Sequence, residues 1–367
     1  MEGLPNWALG LCGTFIGAAA GFTARRARLC SFGAIEDALM GGDTRRLRIF
    51  GLALALAMIA TQTLILMDLL HPDQTRYLSS AVPWLSIILG SFLFGLGMAL
   101  VGTCSFGSLV RLGGGDLRSL VVMLVLGAVA FTTLRGVISD FRILVLESVT
   151  VQPSGAQPAD LPGLLSQYFH TDLRGVVVLV FAGGLITWAL SLQKLRKSPR
   201  LLMAGVTLGL CVFGGWLVTG ALSDDFNPQH QASSLTFIAP VGKFLYTILL
   251  NEGRLADFGV GSVLGVVLGA GLSSYVADEF RWEAYDDDRE MRRHLVGAVF
   301  MGFGGILAGG CTIGQGLTAG SLLALSWPLA VGGMVLGARL GIYILMGGSL
   351  SALCQRWVVT LSGDEKA

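Results

Sequence analysis

Apolar residues in this chain come in long unbroken blocks, not in the alternating or one-faced stripes of a water-soluble fold. Residues 52–67 (LALALAMIATQTLILM) and 119–134 (SLVVMLVLGAVAFTTL) carry no charge. Such blocks approach the roughly 20 residues with which a helix crosses a hydrocarbon layer of about 30 Å. The pattern predicts nine spans, at 7–23, 48–70, 82–102, 118–138, 174–194, 201–221, 257–277, 295–310 and 328–347. Backbone polar groups in lipid need partners within their own segment, so each span is predicted helical. The expected fold class is an all-α polytopic membrane protein.

Composition agrees. Mean hydropathy is +0.70 and charged residues make up 13% of the 367, about half the soluble average of roughly 25%. A net charge of +1 suggests no nucleic-acid partner. The first residues hold Glu2 and no Lys or Arg, which does not read as a signal peptide. Six cysteines in a long membrane chain do not read as a disulfide framework, and no metal-ligand spacing occurs, so no metal or cofactor is expected. Lys and Arg set the orientation. Loops 24–47, 103–117, 195–200, 278–294 and the C-terminal tail, with the flanking span ends, hold 18 of the 25, and the opposite side holds 6. By the positive-inside rule the N-terminus is expected outside and the C-terminus in the cytoplasm.

The chain also repeats itself. FGLGMALVGTCSFG (94–107) resembles FGGILAGGCTIG (303–314), which aligns Cys104 with Cys311 at an offset of 207 residues. Five predicted spans separate the two motifs, so the halves are expected to be inverted, an arrangement common in secondary transporters. The expected division is a first repeat over 1–147, an outer connector and linker span over 148–200, a second repeat over 201–347 and a tail over 348–367. Gly261, Gly265 and Gly269 have the small-xxx-small spacing that lets helices approach closely. The charged stretch 278–293 (DEFRWEAYDDDREMRR) reads as a solvated inner loop, or as a docking surface for a partner.

Three cysteines share one local grammar. Cys30 lies in RLCSFGAIEDAL, Cys104 in VGTCSFGSLVRLGGG and Cys311 in AGGCTIGQGLTAG. Each is followed by Ser or Thr, an apolar residue and Gly, and each precedes a stretch too short to span, such as 32–40 or 313–325. These stretches are predicted to be re-entrant half-helices whose free N–H groups face an anion. Ser31, Ser105 and Thr312 could cap them or donate to the solute, and Gly33, Gly107 and Gly314 would line its path. A thiol adds a weak, polarizable S–H donor. A row of weak sites suits conduction, because tight binding traps the solute.

The motifs RARLCSFG, GLGMALVGTCSFGSLVRLGGG, SLTFIAP (234–240) and GFGGILAGGCTIGQG resemble those of the YeeE/YedE family of bacterial membrane proteins. The resemblance runs from Arg25 to about Ile344, with Val101-Gly102-Thr103 where the family commonly has a Gly-Gly pair before the cysteine. It implies an inner-membrane protein that takes up thiosulfate past three cysteines, which match Cys30, Cys104 and Cys311, and a cytoplasmic TusA-like sulfur carrier as partner. Some members are associated with selenium metabolism, which leaves a selenium-containing anion as an alternative.

Other residues carry two readings each. Lys243 could attract an anion at the outer mouth or be a snorkelling or paired lysine; Gln315 could bond the solute. Arg339, inside the last span, is either functional or paired with backbone carbonyls. Arg25, Arg26 and Arg28 are topology signals first and an electrostatic funnel second, whereas Cys12, Cys211 and Cys354 read as apolar filler. The rival to transport is a membrane sulfurtransferase or thiol-redox enzyme. Covalent chemistry needs an activated thiolate, and His71, His170, His230 and His294 all lie away from the cysteine motifs, so the chain is expected not to be an enzyme.

Overall fold

A computed structural model describes residues 6–72, 75–78, 81–147, 149–150, 160–170, 173–221, 231–250 and 257–347. The expected tail and Cys354 lie outside the described residues. Regular structure among the described residues is helical, apart from isolated bridges pairing Thr75 with Ala232, Asp116 with Glu283 and Asp160 with Ala324. The helices are α1 (Asn6–Ala27), α2 (Ser31–Met40), α3 (Arg45–Leu66), α4 (Trp84–Val101), α5 (Ser105–Gly113), α6 (Leu117–Arg135), α7 (Ile138–Phe141), α8 (Leu161–Phe169), α9 (Arg174–Leu190), α10 (Gln193–Arg196), α11 (Pro199–Trp216), α12 (Ala239–Leu250), α13 (Phe258–Val276), α14 (Asp288–Leu307) and α15 (Ser326–Leu345). Tighter or wider turns complete them: a 3₁₀ turn at Arg76–Leu78, and π-helical turns at Arg142–Leu146, Leu217–Ala221 and Gly314–Ala319.

Each predicted span falls on one of the long helices. Seven helical stretches among the described residues are long and apolar enough to cross a membrane, and two of them join a long helix to the short one after it, α1 to α2 and α4 to α5. The 17-residue α9 is apolar but shorter. Predicted as the shortest span, α14 is instead a 20-residue helix that starts at Asp288. The Asp287 carboxylate accepts from the Arg289 N–H at 3.1 Å and starts the helix early. Its first two turns are charged, so hydropathy alone hides them.

The long helices meet through glycine. Gly13, Gly17 and Gly21 of α1 lie against the backbone of Phe258, Ser262 and Val266 in α13, and Gly261, Gly265 and Gly269 return the contact onto Gly10, Thr14 and Ala18. A Cβ at any of these glycines would collide with a carbonyl oxygen of the other helix. Gly95 of α4 and Gly337 of α15 abut each other's helix in the same way, and Gly90 and Gly304 join α4 to α14. Lipid gives helices no hydrophobic reason to associate, so close backbone packing takes that role.

The connectors gather on two faces. On one, Arg28 pairs with Glu279 at 3.3 Å, and Arg118 pairs with Asp116, Glu283 and Glu290. These contacts join the loops around 24–47, 103–117 and 278–294. At the other ends of the helices, the strap carrying α8 is clipped down. The buried Asp160 pairs with Arg174 at 2.6 Å, and Leu161 N–H donates to the Leu323 carbonyl at 3.0 Å. Arg174 also donates to Gln62, whose amide donates in turn to the Ser321 carbonyl at 3.3 Å. The Trp216 indole reaches the Ser321 hydroxyl at 3.1 Å. The strap therefore holds the turn that comes after Cys311.

Candidate functional site

Cys30 and Cys104 occupy equivalent local positions. Each stands immediately before a short helix, α2 or α5, in extended backbone conformation. Cys104 is the cap of α5: its sulfur accepts the Gly107 N–H at 3.2 Å, one of the donors a helix start leaves without an internal partner. The Cys30 sulfur lies 3.4 Å from the Thr103 hydroxyl, next to Cys104 in sequence. A methyl group added at Gly107 would collide with that hydroxyl and lie 3.1 Å from the Cys30 sulfur and 3.5 Å from the Cys104 sulfur. Both thiols thus border one small volume that glycine keeps open.

The third motif is wound differently. The Cys311 sulfur accepts the Gly314 N–H at 3.4 Å, as Cys104 does from Gly107. The chain then forms a six-residue π-helical stretch, Gly314–Ala319, and not the ordinary half-helix predicted over 313–325. Thr318 N–H bonds back to Ile313, five residues earlier, at 3.0 Å. Gly314, Gly316 and Gly320 weaken the α-helix here, and Leu323, with φ +56°, closes the turn.

Hydroxyls join the motifs. The Ser31 and Thr312 side-chain oxygens are hydrogen-bonded at 2.7 Å across 281 residues of sequence. Together with the Cys30–Thr103 contact, this brings all three predicted motifs to one place. The Ser105 hydroxyl is fully buried and has no hydrogen-bond partner among the described residues. Thr312 and Gly316 are partly exposed between buried neighbours, and among the described residues no other side chain or segment lies within 4 Å of where a Cβ on Gly316 would sit. Gly33 faces the Arg46 guanidinium, 3.0 Å from an added methyl.

Two predicted residues have structural partners. The Gln315 amide donates to the Ala308 carbonyl at 2.6 Å and accepts from Ser326 at 3.4 Å, so both of its ends brace the Cys311 turn. Lys243 on α12 forms an ion pair with Asp257, the cap of α13, at 2.8 Å. Both members are partly exposed, and such a pair contributes about 0–1 kcal/mol. Lys243→Gln should therefore shift the thermal midpoint only slightly and change uptake less than about twofold, read by fluorescence-detected unfolding and by tracer uptake. Arg339 is exposed on α15, not buried in the helix bundle. It sits six residues before the end of α15. Cys211 is buried filler, and Cys12 is partly buried in α1.

Sequence reasoning overlooked Thr103, Thr236 and Tyr77. The Thr236 hydroxyl and Tyr77 phenol lie 2.6 and 3.3 Å from where a Cβ on Gly314 would sit. Burial pushes the Tyr77 phenol up to about 12, so it remains an O–H donor at any physiological pH. The one available signal was the threonine before Cys104 where the resembled family has glycine; nothing local marked Tyr77.

A cavity of about 430 Å³ opens beside this cluster. Thr103 and Phe32 form its inner wall, and Arg111, Arg118, Glu290 and His294 line it toward the charged face. Among the described residues, no group of His, Cys, Asp and Glu side chains could hold a metal ion.

Fold and site together define a polytopic helical membrane protein with thiols and hydroxyls gathered at helix breaks. A model of the sulphur transport family matches residues 26–340, and the chain belongs to that family, the YeeE/YedE proteins. It is similar to the thiosulfate transporter TsuA of Escherichia coli K12, 25% identical over 89% of this chain and 92% of the relative. It is also similar to the thiosulfate transporter TsuA of Spirochaeta thermophila, 28% identical over 89% of this chain and 96% of the relative. These relatives are named as transporters, not enzymes.

Proposed function

We propose that this protein takes up thiosulfate across a bacterial inner membrane, passing the anion from Cys311 to Cys104 and Cys30 by S–H hydrogen bonds without covalent change. The observation that carries this reading is the convergence of the three motifs through the Ser31–Thr312 and Cys30–Thr103 contacts. The names of the relatives support the solute. The unpartnered Ser105 hydroxyl supports a path with donors to spare. In the same reading Ser31, Gly33, Ser105, Gly107, Thr312 and Gly314 line the path, and the cavity at Thr103 is its inner mouth. A TusA-like carrier consumes the anion in the cytoplasm, and Arg and Lys on that face keep the N-terminus outside.

Helix order supports the inverted repeat. At an offset of 207 residues, α2, α3, α4 and α6 fall on α12, α13, α14 and α15, and α5 falls on the π-helical stretch after Cys311. Against a sulfurtransferase stands the company the thiols keep. Among the described residues, the three sulfurs meet one another (Cys30 with Cys104), the Thr103 and Ser31 hydroxyls and the N–H groups of Gly33, Cys104, Gly107 and Gly314, with no His, Lys or carboxylate side chain among their hydrogen-bond partners.

The test is uptake of labelled thiosulfate into proteoliposomes, with selenium-containing anions as competitors. Cys30→Ala, Cys104→Ala and Cys311→Ala should each slow uptake about five- to tenfold, the cost of one modest hydrogen bond. Full activity in both Cys104→Ala and Cys311→Ala would end the relay reading. A stable cysteine persulfide found by mass spectrometry after thiosulfate exposure would replace it with group transfer.

A further inference from the structure

The repeat leaves one thiol without a counterpart. At the offset that matches Cys104 with Cys311, Cys30 falls on Phe237, a fully buried ring stacked on Phe106 with centroids 5.0 Å apart. The same offset matches Gly107 with Gly314, and these two glycines have corresponding surroundings. Beside Gly107 stand a threonine hydroxyl (Thr103), a second protic group (the Cys30 thiol) and the sulfur that accepts its N–H (Cys104). Beside Gly314 stand a threonine hydroxyl (Thr236), a second protic group (the Tyr77 phenol) and the sulfur that accepts its N–H (Cys311). Tyr77 thus holds, relative to Gly314, the place that Cys30 holds relative to Gly107.

We propose that Tyr77 and Thr236 are substrate-binding residues, completing with Cys311 a second site for a small dianion that carries both oxygen and sulfur. The two hydroxyls are hydrogen-bonded to each other, and this pair, a harder donor than a thiol, addresses the oxygens of the solute; the Cys311 S–H addresses the terminal sulfur. Two connectors far apart in sequence build this site. Thr75 and Ala232 pair as a bridge, which sets the turn carrying Tyr77 beside the extended stretch carrying Thr236. The Tyr77 ring meets the buried Trp216 edge-on at 6.4 Å, and Trp216 is held by Ser321. Thr236 is partly exposed between fully buried Leu235 and Phe237, so its side faces accessible space. This site has one thiol where the Cys30–Cys104 site has two. It is therefore the part of the path that selects for oxygen on the solute.

The inference rests on the transport reading, and the experiment separates the two. Uptake is measured against thiosulfate concentration for wild type, Tyr77→Phe, Thr236→Val, Thr236→Ser and Cys311→Ser in proteoliposomes. In parallel, the thiosulfate concentration that half-protects Cys311 from alkylation is read by peptide mass spectrometry for every variant except Cys311→Ser. Tyr77→Phe and Thr236→Val should raise both KM and the half-protection concentration about fivefold or more, with Vmax within twofold and Thr236→Ser near wild type. If Tyr77→Phe folds but transports too slowly for kinetics, the protection shift alone decides. An unchanged KM in Tyr77→Phe, or a fall in Vmax with unchanged half-protection, overturns the assignment, and a misfolded Tyr77→Phe passes the same criteria to Thr236→Val. Wild-type uptake by Cys311→Ser would defeat the relay whatever Tyr77 does. An inactive Cys311→Ser beside an unaltered Tyr77→Phe would defeat this inference alone.

Discussion

Gly107→Val is expected to bring thiosulfate uptake down to background while the protein still folds. The added side chain would enter the volume bordered by the Cys30 and Cys104 sulfurs, where even a methyl group lies 3.1 and 3.5 Å from them and collides with Thr103. Cys104 is fully buried and Thr103 nearly so, leaving little space into which they can retreat. Gly107→Ala should be intermediate, with uptake lowered on the order of tenfold as the Thr103 hydroxyl rotates away from the Cys30 sulfur. Gly316→Ala is the matched control, because its Cβ would enter open space; it should keep more than half of wild-type uptake. The measurement is initial uptake rate normalised to folded protein by size-exclusion profile. A Gly107→Val protein with wild-type rate would mean that the solute does not pass the point where the two thiols meet.

Gly265→Val combined with Gly269→Val is expected to prevent accumulation of folded protein. At both positions the new Cβ would run into backbone carbonyls of α1, at Thr14 and Ala18. Main chain cannot rotate aside as a side chain can, so the two helices must separate along much of their crossing. Overpacking costs about 1–3 kcal/mol at one ordinary core site. Two sites against backbone consume a large part of a total stability on the order of 10 kcal/mol. Gly183→Val with Gly184→Val, placed on α9 where a Cβ meets nothing within 4 Å, should express and melt like wild type. The comparison uses membrane yield and the thermal midpoint in detergent. Wild-type behaviour of the α13 pair would mean that α1 does not lie against α13 in the membrane.

Long-range hydropathy made most of the helices legible, since a lipid-exposed segment is marked residue by residue. It failed at the start of α14, where five charges in the first six residues mask a helix that the Asp287 cap begins. The cysteine motifs were legible because Gly and Ser/Thr repeat at fixed offsets from each thiol. The contact between the first and third motifs, the Ser31–Thr312 bond, joins residues 281 apart and is visible only in the structure. The form of the third helix break was not legible, because glycines at 314, 316 and 320 fit a half-helix, a loop or a π-turn equally well. Gln315 and Lys243 stood out as polar residues near a path, but their partners, the Ala308 carbonyl and the Asp257 carboxylate, lie on segments that no local pattern links to them. Tyr77 was invisible for a different reason. Its role depends on a bridge between Thr75 and Ala232, 157 residues apart, and no local pattern encodes that pairing.

The contact between α1 and α13 also constrains how the protein is made. At a synthesis rate of about 5–20 residues per second, the ribosome needs on the order of tens of seconds to travel from Ala27 to Val276. Throughout that interval α1 sits in the bilayer with its glycine face unmatched. A chain that stalls before Val276 is therefore left with an orphaned first helix, its glycine face open to lipid.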